Sequence, residues 1–290
     1  SGPGFSGGTT SQNATATLPG TYTLVVTSTA NSCTAAATAA VTQNTTAPSP
    51  TASNSATITC TNTTVALSGG PGAGVTYQWS GAGFSGGTTS QNATATAPGT
   101  YTLVVTSTAN SCTAAATTVV SQNVTPPSPT ASNSTTLTCG TTTAALTGGP
   151  ATGVTYHWSG PGFSGGTTSK NAIATAAGTY TLKVTDAVSS CTAQATTVVS
   201  QNITPPSPTA SNSTTLTCAT TTAALTGGPG AGVTYQWLGA GFSGGTTSQN
   251  ATATSPGTYT LVVTSAANSC TAAATTAITQ NTTSPITVAS

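Results

Sequence analysis

Few side chains in this sequence could take part in chemistry, and the cysteines are the ones that recur at a fixed spacing. The charged residues are Lys170, Lys183 and Asp186, and His157 is the single histidine. The seven cysteines form two series with a period of 79 residues: Cys33, Cys112, Cys191 and Cys270, and Cys60, Cys139 and Cys218. Because no CxxC pair or Cys/His cluster occurs, the cysteines indicate disulfides rather than a metal site.

Two disulfide patterns fit these positions. Pairing within one repeat gives Cys60–Cys112, Cys139–Cys191 and Cys218–Cys270, and it leaves Cys33 unpaired. Pairing across the repeat junctions gives Cys33–Cys60, Cys112–Cys139 and Cys191–Cys218, and it leaves Cys270 unpaired. The first pattern is favoured because a domain of this size usually needs its own covalent staple. Either pattern predicts an oxidising, extracellular location.

Acid–base catalysis has few candidates. His157 stands where other repeats carry glutamine and is expected to face outward on the third strand. Lys183 and Asp186 replace a valine and a serine, and they are interpreted as a solvated pair or as neutral substitutions. A Ser-His-Asp triad needs three groups that converge, and single copies in an array of repeats do not favour one. The glycine-rich segment 83–87 lacks the Gly-Lys-Ser/Thr of a phosphate loop. We expect no enzyme, no catalytic residue, no cofactor and no metal ion.

The near absence of charge restricts the partners. Charged residues make up 1% of the chain, whereas binding to nucleic acid requires many lysines and arginines against phosphates. Attachment to anionic membranes also requires clusters of lysine and arginine, which this chain lacks. No apolar run approaches the length of a membrane span. The abundance of Thr, Val, Ala, Ser and Gly is typical of strands and turns.

The 79-residue period predicts an array of small domains in an extended rod. Proline-rich junctions such as Pro126-Pro127-Ser128-Pro129 act as semi-rigid spacers between them. Aligned on these junctions, the sequence divides into a partial repeat, three full repeats and the start of another: residues 1–46, 47–125, 126–204, 205–283 and 284–290.

Alternating apolar residues within each repeat predict strands. Val75, Tyr77 and Trp79 alternate with polar residues, as do Tyr101 and Leu103 further along. About seven short strands, a tryptophan on the third and a tyrosine at the start of the penultimate one predict an all-β, immunoglobulin-like sandwich. The predicted core aromatics are Trp79, Trp158, Trp237, Tyr101, Tyr180 and Tyr259.

Other aromatic side chains allow two interpretations. Trp79 and Tyr77 are interpreted as core residues, with a sugar-stacking surface as the alternative. Four phenylalanines lie between glycines, where they either cap an edge of the core or form a repeated contact with a neighbouring chain: Phe5, Phe84, Phe163 and Phe242.

The motifs Cys60…Val65-Ala66-Leu67…Tyr77-Gln78-Trp79-Ser80…Gly99-Thr100-Tyr101-Thr102-Leu103-Val104-Val105-Thr106…Cys112 recur along the chain. This pattern resembles the Ig-like/PKD-like tandem repeats of giant secreted surface adhesins and filament proteins of Bacteroidota. The resemblance covers the whole chain. It implies tandem sandwiches with a structural role outside the cell, and it supports cysteine pairing within each repeat.

These observations predict a structural segment of an extracellular fibre or of a cell-surface adhesin stalk. The alternative is a module that binds polysaccharide or ice through a neutral, threonine-rich β-face, with Thr94, Thr96, Thr100 and Thr102 held in rank. The expected partners are other copies of the chain or a longer parent polypeptide. Residues 1–46 lack their first strands, so an intact mass would distinguish a longer chain from completion by a neighbouring copy.

Ten Asn-x-Ser/Thr sequons are candidate N-glycosylation sites, and glycans would help to solubilise a surface near zero net charge. They are at Asn13, Asn44, Asn62, Asn92, Asn123, Asn133, Asn202, Asn212, Asn250 and Asn281.

Overall fold

Every regular element in residues 1–284, the part of the chain that the structure describes, is a β-strand in this computed structural model. The chain divides into two compact units, Ser1–Val124 and Thr125–Ser290. The predicted repeat boundaries after residues 46, 125 and 204 stay predictions. Of the last predicted segment, 284–290, all but its first residue lies outside the described residues.

The first unit contains twelve strands. Four of them come from the partial repeat: β1 (Phe5–Ser6), β2 (Thr15–Ala16), β3 (Gly20–Thr27) and β4 (Thr34–Val41). The other eight form the first sandwich: β5 (Thr51–Asn54), β6 (Ile58–Thr59), β7 (Val65–Gly70), β8 (Val75–Ser80), β9 (Asn92–Ala95), β10 (Gly99–Ser107), β11 (Thr113–Val120) and β12 (Gln122–Asn123).

The second unit contains two further sandwiches. The second sandwich consists of β13 (Thr130–Asn133), β14 (Leu137–Thr138), β15 (Ala144–Gly149), β16 (Val154–Ser159), β17 (Asn171–Ala174), β18 (Gly178–Asp186), β19 (Thr192–Val199) and β20 (Gln201–Asn202). The third consists of β21 (Thr209–Asn212), β22 (Leu216–Thr217), β23 (Ala223–Gly228), β24 (Val233–Leu238), β25 (Phe242–Gly244), β26 (Asn250–Ala253), β27 (Gly257–Ser265), β28 (Thr271–Ile278) and β29 (Gln280–Asn281).

Each sandwich has two antiparallel sheets of equivalent strands, and in the third sandwich β25 adds a fourth strand to one of them. Their strand orders are β5-β7-β9 and β8-β10-β11 in the first, β13-β15-β17 and β16-β18-β19 in the second, and β21-β23-β26-β25 and β24-β27-β28 in the third. The strand that carries the tryptophan belongs to the second sheet, where it pairs with the strand that carries the corner tyrosine, as in immunoglobulin-like sandwiches. A two-residue parallel pair joins β6 to β12, β14 to β20 and β22 to β29.

The core lies between the two sheets and follows from the alternation along each strand. On β18, Tyr180, Leu182 and Val184 are fully buried, while the residues between them point away from the core. Trp158 lies directly across from Leu182 in the register of β16 and β18. Gly148 is required beside this pair, because a Cβ there would lie 2.6 Å from Leu182 Cδ2. The three tryptophans are therefore core residues with no free face for a sugar.

A tyrosine corner closes one edge of each core. In the second sandwich, the hydroxyl of the buried Tyr180 lies within hydrogen-bonding distance of two carbonyl oxygens, those of Ala176 and Gly162, both at 2.8 Å, and donates to them. The Phe163 ring meets the Tyr180 ring edge to face, with centroids 5.2 Å apart. The phenylalanines at the equivalent positions make the same contact, so they cap the core edge.

One asparagine per sandwich connects the two sheets. Asn133, at the end of β13, donates both of its amide hydrogens to β19, to Thr197 Oγ1 and to the carbonyl oxygen of Val198, each at 2.8 Å. Asn54 and Asn212 make the same two hydrogen bonds in their own sandwiches. This contact, which we call the sheet clamp, holds the first strand of one sheet against the last long strand of the other.

The partial repeat reproduces half of this arrangement. The strands β3 and β4 pair in the register of β10 and β11, and the Tyr22 hydroxyl donates to Gly4 and Leu18 as in a corner. Leu24 is 52% exposed, however, whereas its counterpart Leu103 is fully buried. The facing strands with the tryptophan are not present in residues 1–46, so the apolar side of β3 is open.

Candidate functional site at the junctions between sandwiches

A disulfide between Cys139 and Cys270 joins the second and third sandwiches, and their Cα atoms are 4.9 Å apart. Cys139 follows β14, which pairs with the last strand of its sandwich, β20. It therefore lies at the end from which the chain continues, here called the trailing end. Cys270 follows the loop after β27 and is 1% exposed. The bond thus fixes the trailing end of one sandwich to the leading end of the next.

A buried asparagine adds hydrogen bonds beside the disulfide. Asn268 is 4% exposed, and its amide donates to Asn202 Oδ1 at 3.0 Å and to the carbonyl oxygen of Thr204 at 2.9 Å. Asn202 ends β20, and Thr204 lies in the connection to the third sandwich. A buried amide that finds two acceptors avoids the cost of an unsatisfied donor. We call this contact the junction clamp.

The same clamp occurs in the first unit. Asn110 donates to Asn44 Oδ1 at 3.1 Å and to the carbonyl oxygen of Thr46 at 2.9 Å. These residues hold the positions of Asn268, Asn202 and Thr204 in their repeats. The clamp is therefore a repeated feature of the array, and it forms in the first unit although Cys112 in the same loop is a free thiol.

Local backbone geometry shapes the loop that carries the clamp. The Ser269 residue has φ of 57°, and its N–H donates to the carbonyl oxygen of Ser265 at 2.9 Å. The Asn268 side-chain oxygen accepts the N–H of Cys270 at 3.1 Å. A short polar side chain that bonds its own backbone two residues on stabilises a turn. This turn fixes the directions of Asn268 and Cys270 together.

The cysteine pairing expected within one repeat is wrong. Cys139 is bonded to Cys270 instead of Cys191, and Cys218 is a free, exposed thiol. The alternative pairing of Cys139 with Cys112 is wrong as well. The reason is that the two cysteines of one repeat lie at opposite ends of its sandwich, one trailing and one leading. The hydrophobic core closes without a staple, so the cysteines serve the junctions.

The remaining cysteines divide into two groups. Cys33 and Cys112 are free thiols, so the expected bond from Cys60 to Cys112 is absent. Cys60 and Cys191 are disulfide-bonded. Cys60 follows β6 as Cys139 follows β14, and Cys191 precedes β19 as Cys270 precedes β28. Each therefore holds the same place in its repeat as a cysteine of the Cys139–Cys270 bond.

In the loop before Cys191, Asp186 accepts the hydrogen bonds that hold the turn. Here Ser189 replaces the clamp asparagine and is fully buried. Asp186 Oδ1 accepts the N–H of Ser189 at 2.7 Å and its hydroxyl at 2.8 Å, and also the N–H of Val188 at 3.1 Å. These hydrogen bonds, first of all that from the Ser189 backbone, lower the pKa of Asp186 below its ordinary value of 3.8.

The other titratable candidates do not converge. His157 is exposed on β16 and lies opposite the exposed Lys183 of β18. The hydrogen bonds to the Asp186 carboxylate come from Val188 and Ser189 of its own loop, and none comes from Lys183. Among residues 1–284, no group of three His, Cys, Asp or Glu side chains could hold a metal ion. No helix in that range is long and apolar enough to cross a membrane.

The threonines of the proposed ice- or sugar-binding face lie in two different sheets. Thr94 belongs to β9, and Thr96 follows that strand, in the sheet of β5, β7 and β9. Thr100 and Thr102 belong to β10 in the other sheet. The four residues therefore do not form the single rank that the sequence pattern suggested.

The sequons differ in what their side chains already do. The amide nitrogens of Asn133 and Asn212 donate twice in the sheet clamp. A glycan at either position would replace one amide hydrogen and so remove at least one of these hydrogen bonds. Asn44 and Asn202 use only their side-chain oxygens in the junction clamp. Glycosylation of any of the ten stays a prediction.

The sheet order, the buried tryptophan and the tyrosine corner define this chain as a protein of tandem immunoglobulin-like β-sandwiches. The two asparagine contacts belong to that description, although the sequence analysis did not identify either. The signal for the junction clamp was the recurrence of Gln-Asn before each proline-rich connection, at Asn44, Asn123, Asn202 and Asn281.

No family model and no curated protein sequence matches this chain. Solved structures with a similar fold include the three N-terminal domains of the bacteriophage RB49 Highly Immunogenic Outer Capsid protein, at 14% identity and a TM-score of 0.32 over 81% of this chain and 99% of that one. Sidekick-1 immunoglobulin domains 1–5 have 14% identity and a TM-score of 0.27, over 91% of this chain and 67% of that one. Domains 1–6 of the surface layer protein SbsC have 13% identity and a TM-score of 0.28, over 95% of this chain and 46% of that one. Similarity this low gives no information about function.

Proposed function

We propose that this chain is a structural segment of an extracellular fibre or surface stalk, in which consecutive immunoglobulin-like sandwiches are locked to each other. The observation that carries the proposal is the Cys139–Cys270 disulfide between two sandwiches. A bond inside one sandwich would protect that sandwich alone. A bond across a junction resists separation and bending of neighbours, which is the property that a fibre requires.

The hydrogen-bonded junctions support the same role. The junction clamp occurs between the second and third sandwiches and again in the first unit. A repeated contact of this kind gives consecutive sandwiches a defined orientation, in contrast to modules on flexible linkers. Such junctions fit a spacer in which the clamped neighbours keep a fixed geometry.

The disulfides also support a location outside the cell, since such bonds persist in oxidising compartments. The uncharged surface fits an inert spacer, because a chain with two lysines and one aspartate has little that salt or pH could change. The resemblance of the repeats to those of Bacteroidota surface adhesins and filament proteins is part of this proposal.

Single-molecule stretching tests the proposal, with the full chain held through bio-orthogonal handles at residues 126 and 283. With the disulfide intact, the 131-residue separation between Cys139 and Cys270 cannot extend. A stretched residue spans about 3.4 Å, so about 450 Å of contour length stays hidden. We expect the Cys139→Ser/Cys270→Ser variant, or a reduced sample, to release this length on unfolding.

The matched control is the Cys112→Ser/Cys218→Ser variant, which removes two free thiols and should keep the length hidden. If the sandwiches separate and unfold without a measurable force peak, so that the chain extends like an unstructured polypeptide, a mechanical role is contradicted. Equal contour lengths in the two variants would contradict the junction bond itself.

A further inference from the structure

The Cys139–Cys270 bond is one of several pairings that cysteines with a common period allow. The sequence around Cys270 does not select it, because residues 268–276 are identical to residues 110–118, which contain Cys112. The connection from β20 to β21, residues 203–208, keeps the second and third sandwiches near each other, but a connection does not by itself bring two particular sulfur atoms together. A contact across the junction must therefore select the partner of Cys139.

Asn268 makes such a contact. Its side chain belongs to the third sandwich, is 4% exposed, and donates to Asn202 Oδ1 at 3.0 Å and to the carbonyl oxygen of Thr204 at 2.9 Å. Asn202 ends the last strand of the second sandwich. Both amide hydrogens are thus satisfied when the third sandwich lies against the trailing end of the second, and a buried amide without partners is costly.

The same side chain fixes the position of Cys270. Asn268 Oδ1 accepts the Cys270 N–H at 3.1 Å, and Ser269 between them has φ of 57°. Asn268 and Cys270 are therefore parts of one turn that a side chain closes. With the amide of this turn bound to the second sandwich, the Cα atoms of Cys139 and Cys270 are 4.9 Å apart, which lies within the range of about 4.4–6.8 Å that a disulfide requires.

The two cysteines differ in their access to solvent. Cys139 is exposed, whereas Cys270 is 1% exposed. In the docked junction, a dissolved oxidant reaches the Cys139 sulfur, and the Cys270 sulfur is shielded from the thiols of other sandwiches. The docked geometry thus leaves Cys139 as the sulfur that Cys270 can attack.

We propose that Asn268 is the positioning residue for formation of the junction disulfide. Its amide docks the third sandwich on the second before oxidation, and its side-chain oxygen holds Cys270 beside Cys139. The order follows from the rates, since domains dock within about milliseconds to minutes, whereas disulfides form within about seconds to hours. The inference rests on the proposed function and deepens it, because it names the residue that selects the partner of Cys139.

The covalent step needs an oxidant, and a small disulfide such as oxidised glutathione supplies it. The exposed Cys139 thiolate attacks one sulfur of glutathione disulfide, which breaks that bond and releases one glutathione thiolate. The Cys270 thiolate then attacks the Cys139 sulfur of the mixed disulfide and releases the second glutathione. The two protein thiols lose two electrons and two protons, and one glutathione disulfide becomes two glutathione thiols.

Reoxidation of the full 290-residue chain tests the proposal. The chain is reduced under native conditions and returned to a glutathione redox buffer, and mass spectrometry follows the mixed disulfide at Cys139 and the Cys139–Cys270 peptide over time. The variant is Asn268→Ser, because the Ser189 hydroxyl at this place in the second sandwich accepts the N–H of Cys191 at 3.3 Å. A serine therefore keeps the contact within the turn and removes the amide.

We expect Asn268→Ser to slow conversion of the mixed disulfide into the Cys139–Cys270 bond at least about fivefold, the factor that one hydrogen bond of ordinary net strength supplies. Formation of the mixed disulfide at Cys139 should keep its wild-type rate, since that step does not involve the third sandwich. The share of Cys139 bonded to other cysteines of the chain should rise.

A variant on the other side of the junction separates docking from a local effect on the loop. Asn202→Ala removes one acceptor from the second sandwich and should slow the same step. The double variant should be no slower than Asn268→Ser alone, because the hydrogen bond between these residues can be lost only once. Asn281→Ala is the matched control, since Asn281 ends the last strand of the third sandwich as Asn202 ends that of the second, and it should leave the rate unchanged.

A wild-type rate of bond formation in Asn268→Ser would overturn the inference, and so would effects of Asn202→Ala and Asn268→Ser that multiply in the double variant. Equal slowing of both chemical steps would also overturn it, because it would indicate general misfolding. None of these results affects the proposed function, since the stretching experiment starts from the finished bond. Absence of the Cys139–Cys270 bond from the oxidised wild type would contradict both.

Discussion

At the scale of single residues, Asp186 offers the clearest link between sequence and solution behaviour, because it is the one acidic side chain in the chain. Its carboxylate organises the loop before Cys191 through hydrogen bonds from Ser189 and Val188. These bonds lower its pKa in the folded state. The folded protein therefore binds a proton at this site less readily than the unfolded chain does.

The lowered pKa predicts a loss of stability in acid. The contribution of Asp186 is present above its ordinary pKa of 3.8 and is lost as the pH falls through the folded-state pKa. We expect Asp186→Ser, which installs the residue of Ser107 and Ser265, to lower the melting temperature of the second sandwich at neutral pH. The difference from the wild type should shrink between about pH 5 and about pH 3.

Thermal unfolding followed by circular dichroism across that range measures this difference, with Lys183→Val as a charge-changing control of the same repeat. Lys183→Val should show no such convergence. A difference between wild type and Asp186→Ser that stays constant down to pH 3 would mean that the hydrogen-bonded carboxylate does not stabilise the fold.

At the scale of elements, the sheet clamp decides how the first strand of each sandwich is held. The strand β13 pairs with β15 on one side, and Asn133 ties its end to β19 in the opposite sheet. This second attachment matters because β13 has only four residues. A short strand at the edge of a sheet gains few ladder hydrogen bonds, so a side-chain contact contributes a large part of its stability.

Replacement of Asn133 by alanine should therefore loosen β13. We expect a loss of about 1–2 kcal/mol, from two hydrogen bonds of ordinary net strength. Amide hydrogen exchange of peptides from the second sandwich measures the effect, which should be largest in β13. Asn171→Ala is the matched control, since Asn171 is an exposed asparagine in the same sheet. Equal changes in exchange for the two variants would exclude a role for the clamp.

The longer strands could be predicted from the sequence, and the shortest could not. Alternation along residues such as Tyr101, Leu103 and Val105 identifies a half-buried strand, and the all-β, Ig-like fold predicted from it is confirmed. The pairs β6–β12 and β14–β20 have two residues per strand, too few for a periodic pattern. The sheet clamp was missed because an asparagine among many asparagines has no pattern of its own. The Gln-Asn pair of the junction clamp recurs, but its recurrence does not show which residue it contacts.

At the scale of the whole molecule, the period that reveals the repeats conceals how they are joined. Each cysteine of one series is separated from the cysteine of the other series in its own repeat by a fixed distance. Its distance to the equivalent cysteine of the next repeat is that distance plus one period. The sequence therefore cannot distinguish a bond within a repeat from a bond between consecutive repeats. The structure distinguishes them because it places the two cysteines of one sandwich at opposite ends.

The bond across the junction should contribute to global stability through the unfolded chain. Loop-entropy reasoning for a 131-residue separation gives up to about 5 kcal/mol. We expect Cys139→Ser/Cys270→Ser to lose stability on this scale in denaturant titrations under non-reducing conditions. Cys112→Ser/Cys218→Ser should match the wild type, and a double variant at 139 and 270 that also matched it would show that the bond leaves the unfolded ensemble unrestrained.

The placement of the Cys139–Cys270 bond has a consequence for damage to the backbone. A protease that cuts one peptide bond between these residues does not divide the molecule, because the two pieces stay joined through sulfur. Every loop of the third sandwich before Cys270 lies inside this protected interval, including the exposed glycine-rich turns. A chain built in this way tolerates a single cut in such a loop and is severed only where no disulfide spans the break.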